Sequence, residues 1–532
     1  MLGKRIKRKI LIIGMMIGLG FGFHPALAQK APKLLRLEIP SALAPGSYRL
    51  APLSENGFLI FYRGPSLTEN KKRKWYFGLF DKHLQQQWLR EIPLPNKLMF
   101  VQQQLHQNKL YLLFKNIDRI KQGQGYYELL IYDVASQKFS ETNGNIPAQS
   151  QIYAFKITGQ TACMAIQNPG FVSDLLFLNL QTGSIKLAHM NRLGKSFFGG
   201  LFVDPQTGDF VTVLNMIKAD TSYRHLILRF DKKASVKQNI AITYKKKHHY
   251  LKQFTLARSE ANTMLFLGSY DQAGEDKNAL KTMAMHQPAR SAGFFSLTIE
   301  NGQQKALNFY SFMQFKNIAG TFANSRVVLP RGKKREKKQS ALLESKAAVS
   351  LINLTPLRLF PYHQNQFVLA ADAFRPYYKT ETRMDYDFYG NPYPNTVRVF
   401  AGNNYYDLIL AGFDQSGHLI WDNDFPIKNL ISFATEPQTS TFVDGKQINL
   451  SYVAEDALIS QDINGPFDLD KPEKINISMV NRRDRYMNSA GNHLIHWYGK
   501  YFLVYGFQDI KNSSSDKQNM RTVFYINKIA LQ

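Results

Sequence analysis

Cysteine is nearly missing from this chain of 532 residues: Cys163 is the only one. That excludes an internal disulfide framework and any cysteine-based metal cluster. Acidic residues are scarce too, with 40 Asp and Glu against 67 Lys and Arg, for a formal charge of +27. Long apolar runs end at Phe23, so nothing later in the sequence is predicted to cross a bilayer as a helix. A Gly-x-Ser-x-Gly elbow and a full phosphate-binding Gly-x-x-x-x-Gly-Lys-Ser/Thr loop are both missing, which removes the commonest hydrolase and nucleotide-binding signatures. Extended helical periodicity is scarce as well.

What is present begins with a leader. Lys4, Arg5, Lys7, Arg8 and Lys9 precede the apolar run Ile10 to Phe23, and Ala26-Leu27-Ala28 supplies a small-x-small cleavage site. The pattern predicts a signal peptide over residues 1–28 and a mature chain starting at Gln29, in the periplasm or secreted. The leader's five basic residues carry five of the +27 charges, so the mature chain stays strongly basic. Basic runs occur at Lys71 to Lys74, Lys245 to His249 and Arg331 to Lys338, each between strand-like segments. Such a surface attracts polyanions. In an exported protein these are acidic glycans, lipopolysaccharide phosphates or released DNA, and nucleic acid is not expected as the main partner. Cys163 lies in the apolar Ala162-Cys163-Met164-Ala165 and is expected to be buried and inert.

The strongest positive feature is a recurring pattern. Tyr76 to Phe80 ends in Asp81, with Trp88 seven residues on; Leu408 to Phe413 ends in Asp414, with Trp421 again seven residues on. Weaker copies end at Asp133, Asn179 and Asp231. A strand-turn-strand unit recurring at about 45–55 residues has the period of a propeller blade. The sequence therefore predicts an all-β, eight-bladed β-propeller of four-stranded blades, with seven blades as the alternative. Residues 29–532 form one domain in this reading, with insertions at about 310–357 and 374–404. Blade seven is the poorest match, with strands expected at Leu430–Ala434, Gln447–Val453, Ala457–Gln461 and Lys474–Met479. The last blade supplies only three strands, so the segment Lys33 to Ile39 is expected to complete it and close the ring.

The segment Asp414 to Trp421, with Gly417 between, resembles the repeat of quinoprotein-like (pyrroloquinoline-quinone-type) propellers. Asp81 to Trp88 matches at its ends but has Leu84 at the glycine position. The resemblance covers two blades. It implies tryptophans that dock one blade on the next, and no quinone.

One segment stands out chemically. Between Phe374 and Tyr406 the candidate binding residues are Arg375, Tyr377, Tyr378, Tyr386, Phe388, Tyr389 and Tyr393, interleaved with Arg383, Asp385, Asp387, Asn391 and Asn395. Aromatic faces with directional polar groups among them suit a protein or glycan partner. Asp385-x-Asp387-x-Tyr389-Gly390 imitates part of a calcium loop, but lacks its closing Glu. The acidic turn Asp462 to Asp470 is incomplete in the same way. His493 and His496 sit on a predicted strand, three apart, and so face opposite sides. No metal and no cofactor is expected. The reading is a non-enzymatic, monomeric binding or scaffolding propeller of a bacterial envelope or secretome, with an envelope protein or a glycan, anionic by preference, as partner. The alternative is a carbohydrate-active propeller, a glycoside hydrolase or polysaccharide lyase, which would need acidic residues converging at the channel.

Overall fold

The protein, described here by a computed structural model, is an eight-bladed β-propeller. The structure describes residues 35–40, 47–116, 125–217, 223–244, 249–260, 262–272, 289–315, 352–477, 479–481, 483–512 and 520–530. The leader, the basic runs at 245–248 and 331–338 and most of the expected insertion at 310–357 lie outside these residues. Among the described residues no helix is long and apolar enough to cross a membrane.

Blade 1 runs Tyr48–Pro52, Phe58–Leu67, Arg73–Phe80 and Gln86–Leu94 as an antiparallel meander. Blade 2 (Leu98–His106 to Lys138–Ile146), blade 3 (Gln151–Thr158 to Ile185–His189), blade 4 (Ser196–Val203 to Val236–Ile242) and blade 5 (His249–Glu260 to Gln303–Ser311) repeat it. Blade 6 consists of Arg358–Tyr362, Gln366–Tyr386, Pro392–Phe413 and Leu419–Ser432, with two short strands, Ile352–Leu354 and Ala289–Ser291, added at its edge. Blade 7 begins at Thr439–Asp444, and its outer strand is split into Phe467–Asp468 and Glu473–Asn476. Blade 8 takes Asp484–Tyr498, Tyr501–Asn512 and Met520–Ala530 from the end of the chain and Leu35–Pro40 from its start. This is the closure that the unpaired N-terminal segment implies. The register runs from Leu35 opposite Lys528 to Pro40 opposite Val523.

Blade 7 corrects one expectation. The sequence places its first strand at Leu430–Ala434, but Leu430 to Ser432 finish the last strand of blade 6, opposite Asn403 to Tyr405. The true first strand, Thr-Ser-Thr-Phe-Val-Asp, carries no apolar run. Its polar residues are held from blade 6. The carboxylate of Asp372 accepts from the Thr439 amide (3.0 Å), the Thr439 hydroxyl (2.6 Å) and the Gln438 amide (2.6 Å). Arg358 bridges the same pair, 2.7 Å from Asp372 and 2.6 Å from Thr439 Oγ1.

The middle strands of each blade read as continuous apolar runs because both faces are covered. In Thr161–Asn168, Cys163 and Ala165 pack toward blade 4, whereas Ala162, Met164 and Ile166 pack toward blade 2. Period two thus distributes one strand between two interfaces. Cys163 is fully buried, as expected, and burial pushes its thiol pKa up. Apolar clusters join successive blades around the ring, and one containing Tyr48, Phe58, Trp497 and Phe524 joins blade 8 to blade 1. There the Trp497 indole donates to the Gly57 carbonyl at 3.0 Å.

The first strands of successive blades lie side by side, and glutamines tie them together. Gln102 of blade 2 both donates to the Phe155 carbonyl and accepts from the Phe155 amide of blade 3, each at 3.1 Å. Gln253 of blade 5 holds the Thr355 carbonyl and the Leu357 amide at the entry to blade 6 in the same manner. A side-chain amide satisfies one donor and one acceptor of a neighbouring backbone without adding charge.

Candidate binding site

The recurring acid is a turn device. Asp81, Asp231 and Asp414 each accept, on one carboxylate oxygen, the backbone N–H groups two and four residues ahead, at 2.8–2.9 Å. The residue three ahead is left-handed in every case: Leu84 (φ 62°), Ala234 (φ 64°) and Gly417 (φ 84°). The departure from glycine at Leu84 therefore leaves the turn intact. The paired tryptophans dock blades, as the resemblance implied. The Trp88 indole donates to Gln137 of blade 2 at 3.0 Å and meets the Tyr132 and Phe139 rings. Trp421 lies across Gly412, where a Cβ would approach within 2.1 Å, and packs with Ile448 and Ile463 of blade 7.

Asp387, at the tip of the blade 6 hairpin, is a further copy of the same turn. Its Oδ1 accepts from the Tyr389 amide (2.9 Å) and the Asn391 amide (2.8 Å), and Gly390 takes φ 82°. The partial calcium loop is a hairpin turn whose acid is already occupied by its own backbone. Those bonds, the Asn391 amide foremost, hold the Asp387 pKa below the usual carboxylate value. The second acidic turn is also internally bonded, with Asp470 accepting from the Asp462 amide at 3.0 Å. His493 stacks on Tyr505 and His496 on Phe442, in separate contacts. Among the described residues no three His, Cys, Asp or Glu side chains gather as a metal site.

The stretch expected as an inserted loop, 374–404, is an antiparallel ladder running from Phe367 opposite Phe413 to Tyr386 opposite Pro392, with bulges between Ala373 and Phe374 and between Tyr377 and Tyr378. As far as Ala373 and Phe374 it is a blade strand, fully buried. From Tyr377 to Tyr386 it is a two-stranded ribbon that projects about 33 Å at 3.3 Å per residue. Among the described residues, neither of its strands has a further partner in the sheet beyond Phe374 on one side and Asn403 on the other.

Register assigns the side chains to faces, because cross-strand partners share one. The pairs Tyr378–Phe400, Thr380–Arg398, Thr382–Thr396, Met384–Pro394 and Tyr386–Pro392 lie on one face. The pairs Lys379–Val399, Glu381–Val397, Arg383–Asn395 and Asp385–Tyr393 lie on the other. The first face is largely apolar. The Tyr378 and Phe400 rings meet edge to face at 5.8 Å, Arg398 covers Tyr378, and Phe433 extends the row beside Phe400. At the turn, Tyr386, Phe388 and Tyr389 are 70%, 96% and 85% exposed.

Of the residues singled out in the sequence, Tyr386, Phe388, Tyr389 and Tyr393 gather at the tip, and Tyr378 stands on the apolar face near the root. Arg375 and Tyr377 lie at the root, where Arg375 reaches the Tyr406 ring at 5.8 Å. Sequence reasoning missed Met384, Phe400 and Phe433. Period-two alternation across the hairpin would have found the first two, whereas Phe433 falls in the segment expected to open blade 7. A second surface feature is an open groove of about 650 Å³ along the outer strand of blade 5, lined by Tyr244, Leu307, Phe309, Tyr310 and His418.

Comparison with known proteins gives no family: no family profile matches the chain, and no curated protein does. Solved structures are similar only in outline. Polysaccharide lyase Uly1 shares 9% identity over 81% of this chain and 89% of its own, at a TM-score of 0.39. The β-propeller domain of the Trilobed protease from Pyrococcus furiosus, described as having an open velcro topology, shares 8% over 79% and 97%, at 0.34. The WD40 domain of SCAP from fission yeast shares 9% over 93% and 98%, at 0.37. These superpositions are too loose to argue from, and the fold rests on this chain's own sheet order.

Proposed function

We propose that this is an exported, non-enzymatic binding propeller that recognises an envelope protein or an anionic or glycan partner through the blade 6 ribbon. The observation that carries this reading is the ribbon's apolar face, rowed with aromatic side chains and left in solvent. A two-stranded ribbon gains little stability by itself in water. Exposed aromatic surface of this extent marks an interaction site. The ring acts as a rigid mount, and recognition combines ring stacking on the apolar face with hydrogen bonds from Arg383, Asn395 and Asn391 along the margins.

Three of the buried carboxylates support binding over catalysis. Asp372 is saturated by Arg358, Thr439 and Gln438. Asp204 and Asp209 are held by Arg229 at 2.5 and 3.0 Å, and Ser259 donates to Asp204 at 2.8 Å. Carboxylates engaged in this way hold blades together and do not serve as the poised acid and base that a glycoside hydrolase or lyase requires. The test compares the wild-type chain with the triple variant Tyr386→Ser/Phe388→Ser/Tyr389→Ser on a glycan array and in detergent-solubilised, lipid-depleted envelope extract. Binding that is lost in the variant, with an unchanged unfolding midpoint, supports the reading. Equal binding by the two chains overturns it.

A further inference from the structure

The ribbon is graded along its length as well as across its faces. Its last three ladder pairs and the turn hold Met384, Tyr386, Phe388, Tyr389, Pro392, Tyr393 and Pro394, with the acids Asp385 and Asp387 among them. At about 3.3 Å per residue this aromatic cap is about 10 Å deep. Basic residues start immediately behind it: Arg383 at about 10 Å from the tip, then Lys379 and Arg398 at about 20 Å. The acids of the ribbon are engaged internally. Asp387 is occupied by its own turn, Asp385 accepts from the Asn395 amide at 2.6 Å, and Glu381 lies 3.6 Å from Arg383.

A tip of this depth, rich in aromatic side chains and with cations behind it, matches the layering of a membrane surface. Amphipathic elements bury their apolar side about 5–10 Å into the headgroup and acyl boundary. Tyr is enriched at that boundary because its ring is apolar and its hydroxyl is wet. Arg side chains reach lipid phosphates from just outside it. The mature chain's net positive charge, +27 less the leader's five, supplies the long-range attraction.

On the reading that the ribbon is the contact element, we infer that its aromatic tip inserts into the surface of a phospholipid bilayer bearing anionic headgroups, with Arg383, Lys379 and Arg398 at the phosphates. The Asp387 turn fits this role, since it fixes Phe388 and Tyr389 outward without leaving its own carboxylate unsatisfied. Pro392 and Pro394 remove two amide donors from the open outer edge of a strand entering an apolar layer.

The experiment is co-sedimentation of the full chain with phosphatidylcholine vesicles, pure or mixed with phosphatidylglycerol. The wild type is expected to sediment with the mixed vesicles about fivefold more tightly than with the pure ones, since the ribbon and its root carry one net basic charge (Arg375, Lys379, Arg383 and Arg398 against Glu381, Asp385 and Asp387) and about 1 kcal/mol accompanies each at the surface. Phe388→Ser/Tyr389→Ser should weaken this at least tenfold at an unchanged unfolding midpoint. In Phe388→Trp, vesicles should shift the emission of the added indole to the blue relative to the wild-type background of four tryptophans. A wild-type chain that stays in the supernatant, a double variant that sediments equally, or a Phe388→Trp chain whose emission vesicles leave unshifted overturns the inference. Ribbon-dependent capture in the lipid-depleted extract without vesicle binding overturns the lipid partner and leaves the binding role standing.

Discussion

One hairpin of blade 6 contains two regions that differ in almost everything except their pairing. Its inner half, Val368 to Phe374 against Tyr405 to Phe413, is sealed between blades 5 and 7, with Leu369, Phe374, Leu408 and Leu410 fully buried. Its outer half continues the ladder, and its aromatic content is similar, yet Phe388 is 96% exposed. Hydrophobicity alone did not bury a side chain here. Neighbouring sheets did, and where the neighbours stop the apolar surface remains available to something outside the molecule. The inner half serves stability and the outer half serves contact.

That division is broken hardest at the inner half's charged tie. Asp372→Ala should remove about 3–5 kcal/mol, because the half-buried Arg358 and the buried Thr439 both lose the carboxylate that holds them. Urea unfolding measures it, and a loss under about 1 kcal/mol would mean that the tie is dispensable. Next comes the direct contrast. Leu410→Ala should cost about 2–5 kcal/mol by cavity formation, whereas Phe388→Ala, on the same hairpin, should stay within about 0.5 kcal/mol. Equal costs would erase the distinction between the two halves.

A buried titratable group sharpens the comparison with the interior of blade 4. His225 contacts Asn215 Oδ1 at 2.5 Å and the Tyr244 hydroxyl at 3.1 Å, and burial pushes its pKa from 6.5 down to about 3. The unfolded chain therefore takes up a proton below pH 6.5 that the folded chain refuses until about pH 3. Stability should fall in that window as pH drops, by about 1 kcal/mol per unit, and be unaffected by this group above it. His225→Gln should flatten that slope in pH-dependent denaturation, while the ribbon triple variant should leave it unchanged. The smallest effect concerns the shared turn. Ala234 holds the left-handed position that Gly390 occupies at the ribbon tip, so Ala234→Gly should raise stability by about 0.5–1 kcal/mol. A fall in midpoint would show that its packing outweighs the backbone strain.

The sequence revealed those parts of the fold that depend on local pattern. Asp81, Asp231 and Asp414 mark turns through bonds spanning four residues, and Trp88 and Trp421 follow at fixed distances. The closure strand was visible because Leu35, Leu37 and Ile39 alternate with polar residues and have no blade of their own. Thr439–Asp444 was invisible for the opposite reason. Its stability comes from Asp372, 67 residues away, and no local signal records that contact. The ribbon's aromatic residues were legible and its antiparallel ladder was not. Pro376, Pro392 and Pro394 imitate loop punctuation, although each stands on a strand without an outer neighbour, where proline is tolerated. The grouping into faces required the register.

The N-terminal strand of blade 8 has a temporal consequence. Arg36 meets Asn527 across 491 residues, so the first segment of the ring to be synthesised bonds with nearly the last. Until Met520–Ala530 has been delivered, Leu35–Pro40 has no ladder to join, and the arc of finished blades carries open edges at both ends. Loss of the last dozen residues would therefore uncouple the beginning of the ring as well as its end. Completion of this protein is a single late event, sensed equally by both of its termini.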